Sequence, residues 1–155
     1  MAKYITPTLT ITSNKFDATT NPGPTSSPLA ISVTDTLDVT QVDSNIVTVA
    51  TTDAVLLSKT NYTSGDDAGT DGAFVFLKNL TEGLTVAPNI FIGHNPTGDG
   101  ELEDSGAADE DRLMTLKPGE FAFFPWDLEG NLHVDASAAA DDALEVIVFV
   151  RTGTA

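Results

Sequence analysis

The sequence predicts an all-β protein, an antiparallel β-sandwich that is jelly-roll-like and has eight to ten short strands. Three observations lead to this prediction. Apolar and polar residues alternate with a period of two, the apolar runs are rich in β-branched and aromatic residues, and clusters of Gly, Pro, Asn and Asp separate the runs. No stretch has a convincing helical period. Short strands at close spacing, with turn residues between them, are typical of sandwiches and barrels.

The clearest alternation lies between Leu29 and Thr40. Leucine, isoleucine and valine occupy one parity of this segment, and Ala, Ser, Thr and Asp occupy the other. This pattern predicts a strand with one buried face and one wet face. Asp35 interrupts the apolar parity, so we expect a bend or a bulge at this position.

Further strands are expected along the rest of the chain. Two apolar runs, Ala73–Leu77 and Asn89–Gly93, are apolar on both faces, which predicts central strands buried on each side. Ser137–Ala143 has two adjacent aspartates and is expected to be a loop or at most a turn of helix. The other runs that we expect to form strands are Asn45–Ala50, Ala54–Ser58, Phe121–Trp126 and Leu144–Arg151.

Residues 1–28 differ in character from residues 29–155, which we assign to the sandwich domain. The N-terminal segment is rich in Thr, Ser, Asn and Pro. It is either an extended arm that adds a strand to the sheet edge of a neighbouring subunit or the first strand of its own domain. If it is an arm, the residues expected to contact a partner are Tyr4, Ile5, Leu9 and Ile11.

Composition and charge narrow the possible functions. The 155 residues make one domain that can fold without a disulfide or a metal, and the chain has no cysteine. Seven Lys and Arg against 23 Asp and Glu give a net charge of −16. Scattered cations in an acidic chain disfavour binding to nucleic acid and to anionic membranes. The N-terminus has no apolar signal segment, so we expect synthesis in the cytoplasm.

Residues that carry chemistry are few. The two histidines, His94 and His133, have no His-x-His neighbour and no G-x-S-x-G motif beside them. We therefore expect no catalytic residue, no cofactor and no metal site formed by histidine. The acidic segment 98–111 lacks the EF-hand spacing, and whether it binds Ca²⁺ or a basic partner surface stays open. Trp126, the single tryptophan, is expected to plug one end of the fold; the alternative is a sugar-binding platform.

The C-terminal half resembles small virion structural proteins of tailed bacteriophages, including cyanophages. The resemblance covers roughly half of the chain and is strongest between Leu113 and Thr152. It is carried by the turn Leu116–Glu120 and by the segments Phe121–Trp126, Asn131–Asp135, Leu144–Phe149, Phe74–Leu80 and Ile90–Gly93.

The resemblance implies a jelly-roll subunit of a virion. The function we expect is that of a capsid decoration, or cement, protein that binds the major capsid protein and stabilises the shell. It would lie on the capsid surface as a homo-oligomer, with a trimer favoured. The alternatives are a tail, neck or head-fibre subunit of the same fold, a carbohydrate-binding module that uses Trp126, and a small jelly-roll enzyme.

Overall fold

A computed structural model describes residues 3–12, 30–62, 72–94, 112–128 and 130–151 of the chain. These residues form eleven strands and one three-residue 3-10 helix, Lys59–Asn61. All the strand pairings with a defined register are antiparallel. The predicted all-β antiparallel class is therefore confirmed, with more strands than the eight to ten expected. Within the described ranges, no helix has the length and apolar character needed to cross a membrane.

The chain divides into two compact units, residues 1–39 and residues 40–155. In the first unit, β1 (Lys3–Ile5) pairs with the first three residues of β4 (Leu37–Val49). Strand β2 (Thr8–Thr12) pairs over its whole length with β3 (Ala30–Thr34).

The break between β3 and β4 falls at Asp35, where the alternation predicts it. The backbone N–H of Thr36 donates a hydrogen bond of 2.8 Å to the Asp35 carboxylate. A side chain that bonds the backbone locally competes with the strand ladder, which explains why an aspartate ends the strand here.

Two sheets contain the strands of the second unit. Beyond β1, which pairs with residues 37–39 of β4, the front sheet has the order β4-β11-β6-β9, and the back sheet has the order β5-β10-β7-β8. The strands after β4 are β5 (Ala54–Leu57), β6 (Ala73–Asn79), β7 (Ile90–Gly93), β8 (Arg112–Leu116), β9 (Phe121–Trp126), β10 (Leu132–Ala136) and β11 (Ala140–Arg151).

The core lies between these two sheets. Alternate residues of β6 and β11 are buried in it, and Val75, Leu77 and Leu144 are fully buried. The back sheet contributes Ile90 and Ile92, which are also inaccessible to solvent. One continuous cluster of buried apolar residues therefore joins the inner faces, as in a β-sandwich.

A buried asparagine, Asn79, ties the two sheets together at one end. Its amide nitrogen donates hydrogen bonds to the carbonyl oxygens of Pro88 at 2.9 Å and Leu116 at 3.0 Å. Its amide oxygen accepts bonds from the backbone N–H of Thr81 at 3.0 Å and the Thr81 hydroxyl at 2.6 Å. Every hydrogen-bonding atom of this fully buried side chain is therefore satisfied, as burial of a polar group requires.

Three sequence predictions need correction. Asn45–Ala50 is not a separate strand, because β4 runs unbroken to Val49. Ser137–Ala143 is not wholly a loop, since β11 begins at Ala140. Strand β6 is not buried on both sides: its odd-numbered residues from Ala73 to Asn79 are buried, but Phe74 and Phe76 are only partly covered.

Candidate interaction surface

The outer face of the front sheet carries a continuous row of aromatic and aliphatic side chains. The register places Phe76 opposite Phe123 of β9 and opposite Ile147 of β11. Phe74 lies opposite Phe149 in the same way. Adjacent outward positions on three neighbouring strands therefore hold the residues that we call the aromatic face: Phe74, Phe76, Phe121, Phe123, Ile147 and Phe149.

The rings of the aromatic face pack on one another. Phe74 and Phe123 are stacked with ring centroids 5.3 Å apart, and Phe76 and Phe121 lie 6.1 Å apart at a shallow angle. Phe149 meets Phe123 edge-on at 6.3 Å. Such ring pairs add a modest stabilisation beyond their buried area, and they hold the side chains in fixed positions.

Water still reaches this face. Phe121 is 62% exposed and Phe123 is 39% exposed, while the other members are partly covered. Strand β4 extends the apolar surface, because its partly buried Val47 and buried Val49 alternate with exposed neighbours. Two of the exposed side chains on β4 are Val42 and Ile46. Contiguous apolar surface of this kind marks interaction sites in soluble proteins.

The charged residues at the ends of the aromatic face differ in sign. Glu145 and Lys78 lie opposite each other at one end, and Arg151 lies at the other end. The Arg151 guanidinium is 5.6 Å from the centre of the Phe74 ring, which is within cation–π range. Beyond Glu145, β11 also carries the exposed acids Asp141 and Asp142.

The sequence-predicted contact residues belong to the other unit. Tyr4 is 67% exposed and Leu9 is 52% exposed, whereas Ile5 is half-buried. Leu9 pairs in register with Val33 of β3, and Ile11 pairs with Ile31. The segment thus forms strands within its own chain, and its proposed contact with a neighbouring subunit stays a prediction.

The two histidines have different surroundings. His133 is buried on β10, and its Nδ1 lies 2.8 Å from a carboxylate oxygen of Asp53. His94 is exposed, and its Nδ1 lies 3.0 Å from the backbone oxygen of Asn131. Among the described residues, no three His, Asp or Glu side chains are grouped to hold a metal ion. The Asp53–His133 pair connects the turn before β5 to β10.

Trp126 is buried at the end of β9 and is only 5% exposed. Its indole N–H donates a hydrogen bond of 3.1 Å to the backbone oxygen of Gly130, and its ring meets Tyr62 edge-on at 5.9 Å. A sugar platform needs an open ring face, so Trp126 in this position is a plug of the fold, as expected, and is not open for sugar stacking.

A small cavity of about 120 Å³ lies between β4, β5 and Tyr62. Burial, and secondarily the negative charge of Asp43, raises the pKa of Tyr62 above its ordinary value of 10.0. The residues that line the cavity are Asp43, Ser44, Asn45, Val47, Leu56, Leu57, Tyr62, Val146 and Val148. The cavity is smaller than the 300–1,000 Å³ of typical ligand sites.

The acidic segment 98–111 lies outside the described residues, and so both hypotheses for it stay predictions.

Comparison with protein-family models, with curated proteins and with solved structures found no match for this chain. The aromatic face is the candidate site that sequence analysis missed. The signal is present in the sequence, since four of its six members belong to the apolar runs at 73–77 and 121–126. The first run is predicted to be buried on both faces, and the second is predicted only to form a strand.

Proposed function

We propose that this chain is a non-enzymatic structural subunit that works by binding other protein subunits. In its most specific form, the proposal is a decoration protein on the capsid surface of a tailed bacteriophage, where it binds the major capsid protein and stabilises the shell. A tail, neck or head-fibre subunit would use the same fold at another place on the particle.

The observation that carries the proposal is the aromatic face. Three neighbouring antiparallel strands, about 4.8 Å apart and six residues long at about 3.4 Å per residue, have a flat footprint of about 300 Å². A contiguous apolar patch of this size is within the range that is often functional on soluble proteins. The rings lie on a packed sheet and not on a loop, so binding a partner costs little ordering entropy.

The strand order supports a jelly roll. If β4 is counted as the first of eight strands, the front sheet has the order 1-8-3-6 and the back sheet has the order 2-7-4-5. Every connection except that between β7 and β8 then passes from one sheet to the other. Two interleaved Greek keys generate this order, and jelly rolls are built from such pairs.

The charge of the chain supports a location outside the packaged DNA. A net charge of −16 repels polyphosphate and keeps the free subunit soluble at high concentration. A protein with this charge gains nothing from contact with DNA, whereas protein subunits offer apolar and basic surfaces that it can bind.

The proposal is tested with particles of the phage that encodes this chain, prepared with and without the protein. We expect many copies per complete particle, and we expect particles that lack the protein to rupture at a lower temperature. The protein is added back in three forms: wild type, Phe121→Glu on the aromatic face, and Leu113→Glu on β8 as the control. Leu113 is 60% exposed and Phe121 is 62% exposed, so the two variants match in exposure and in added charge.

Wild type and Leu113→Glu should restore heat resistance, and Phe121→Glu should bind more weakly, because a buried charge in an apolar interface is costly. Particles that are equally heat-resistant without the protein would remove the cement mechanism. Absence of the chain from purified particles would remove the virion assignment altogether.

A further inference from the structure

The surface that contains the aromatic face has apolar side chains and end charges that are complementary to those of a second copy. We propose that its occupant is a second copy of this chain, packed face to face about a two-fold axis with the strands of the two front sheets antiparallel. This inference rests on the proposed function, because it names the first subunit to which the chain binds.

The distribution of charge favours a copy of the same chain. Two molecules with a net charge of −16 repel each other over most of their surfaces. The six members of the aromatic face carry no charge, and the charged side chains lie at its ends: Lys78, Glu145 and Arg151, with the exposed Asp141 and Asp142 before Glu145 on β11. Like-charged copies therefore meet little direct repulsion across the six uncharged side chains of this face.

The positions of the end charges set the orientation. Glu145 and Arg151 lie on the same side of β11, six residues apart, so about 20 Å separates them at about 3.4 Å per residue. In an antiparallel two-fold pair, Arg151 of each copy lies above Glu145 of its partner. The symmetry produces this ion pair twice, and it is the kind of complementarity that fixes the register of an interface.

The shape of the surface suits sheet-on-sheet packing. Sheets that pack face to face lie about 10 Å apart with side chains interdigitated, which is how the inner face of this same front sheet is already covered. Phe121 is 62% exposed, and Phe123, which stacks on Phe74, is 39% exposed. These two rings are the ones that insert between those of the partner copy.

The area predicts a weak dimer. A footprint of about 300 Å² on each copy lies below the roughly 800 Å² per partner of a standard stable interface. We therefore expect a dissociation constant of roughly micromolar size, so that the pair forms fully only at high local concentration, as on a particle. The two-fold contact gives a dimer in place of the trimer that the resemblance favours.

The test is sedimentation equilibrium of the full-length protein over a wide concentration range. The wild type is expected to shift from monomer to dimer near micromolar concentration. Phe121→Glu is expected to weaken the dimer at least about 30-fold, as loss of an interface hot spot does. The matched variant Leu113→Glu is expected to dimerise like the wild type. Far-ultraviolet circular dichroism and the emission of Trp126 show whether each variant is folded.

A charge-reversal pair tests the orientation independently. Arg151→Glu places two acids opposite each other and is expected to weaken the dimer. Adding Glu145→Arg to that variant restores opposite charges across the interface, so the double variant is expected to recover most of the lost affinity. Recovery does not occur if the two residues lie in different contacts.

Several results would overturn the two-fold pair. They are a wild type that stays monomeric at the highest concentration, a trimer, or a dimer that Phe121→Glu leaves unchanged. If the protein is monomeric and still binds particles through the aromatic face, the partner of this face is a shell subunit and not a second copy. In that case the second-copy inference fails and the proposed function stands. The reverse outcome is a protein that forms the dimer but does not bind particles, and then the second-copy inference stands and the proposed function fails.

Discussion

Asn79→Ala is the substitution for which the structure predicts the largest effect from a single polar side chain. Asn79 is fully buried and forms four hydrogen bonds of 2.6–3.0 Å. Removing its amide leaves the carbonyl oxygen of Pro88 and the N–H of Thr81 without these bonds in a place that water does not reach. Buried groups left unpaired cost about 1–3 kcal/mol each, so we expect a loss of about 3–5 kcal/mol in the free energy of unfolding.

A loss of this size is a large fraction of the roughly 5–15 kcal/mol that stabilises a domain. In urea, with a slope of about 2 kcal/mol per molar, it lowers the unfolding midpoint by about 2 M. The assay is equilibrium unfolding followed by the fluorescence of Trp126, which is the single tryptophan and is buried.

The control for Asn79→Ala is Asn45→Ala on β4. Asn45 is exposed, and its amide oxygen accepts one hydrogen bond of 2.9 Å from the neighbouring N–H of Ile46. We expect this variant to lose less than about 0.5 kcal/mol, as surface substitutions usually do. If the free energy of unfolding of Asn79→Ala lies within about 1 kcal/mol of the wild-type value, this side chain does not hold the two sheets together and the reasoning is refuted.

Two further predictions concern the second unit. A Tyr4→Phe variant leaves Tyr62 as the single phenol, and its titration is followed by absorbance at 295 nm. We expect a midpoint above pH 10.0, because burial raises the pKa of Tyr62. A midpoint at or below 10.0 would contradict this expectation. Because the folded state holds this proton more tightly than the unfolded state, the contribution of Tyr62 to stability is present below pH 10 and is lost as the pH rises through the folded pKa. Gly72→Ala should destabilise by about 1–3 kcal/mol more than Gly83→Ala in thermal unfolding. Both glycines have a positive φ, but a Cβ at Gly72 would lie 2.7 Å from the Trp126 carbonyl oxygen, whereas a Cβ at Gly83 would meet no atom within 4 Å. Equal losses of stability in the two variants would show that backbone strain alone determines the loss.

Alternation predicts strands such as β6 and β11 because one face of each is buried in the core. The buried face predicted for Leu29–Thr40 is wrong on β3, where Val33 is 57% exposed. The Leu29–Thr40 pattern gave both the strand and its interruption, since Asp35 removes an apolar side chain where the ladder stops. Strand β11 was placed correctly from Leu144 onward, but its start was missed. Asp141 and Asp142 are exposed, and Asp142 has a φ of 46°, so the local sequence is typical of a turn even though β11 includes both residues.

The aromatic face could not be predicted in the same way. A run such as Ala73–Leu77, apolar on both faces, predicts that both faces avoid water, but it does not say which molecule covers the second face. The structure covers one face of β6 with the back sheet, and on the other face Phe74 and Phe76 pack on neighbours in the same sheet. The sequence signal is therefore valid for the apolar character of both faces, whereas the prediction that the fold buries both is wrong for Phe74 and Phe76.

The most direct test of the account is a cryo-EM map of the intact particle to which this chain is proposed to belong. The account predicts many copies of an all-β subunit on the capsid exterior, with Phe74, Phe76, Phe121 and Phe123 covered by another protein subunit. A map in which the subunit is present and this sheet face is open to solvent would contradict the central claim that the aromatic face is the assembly surface.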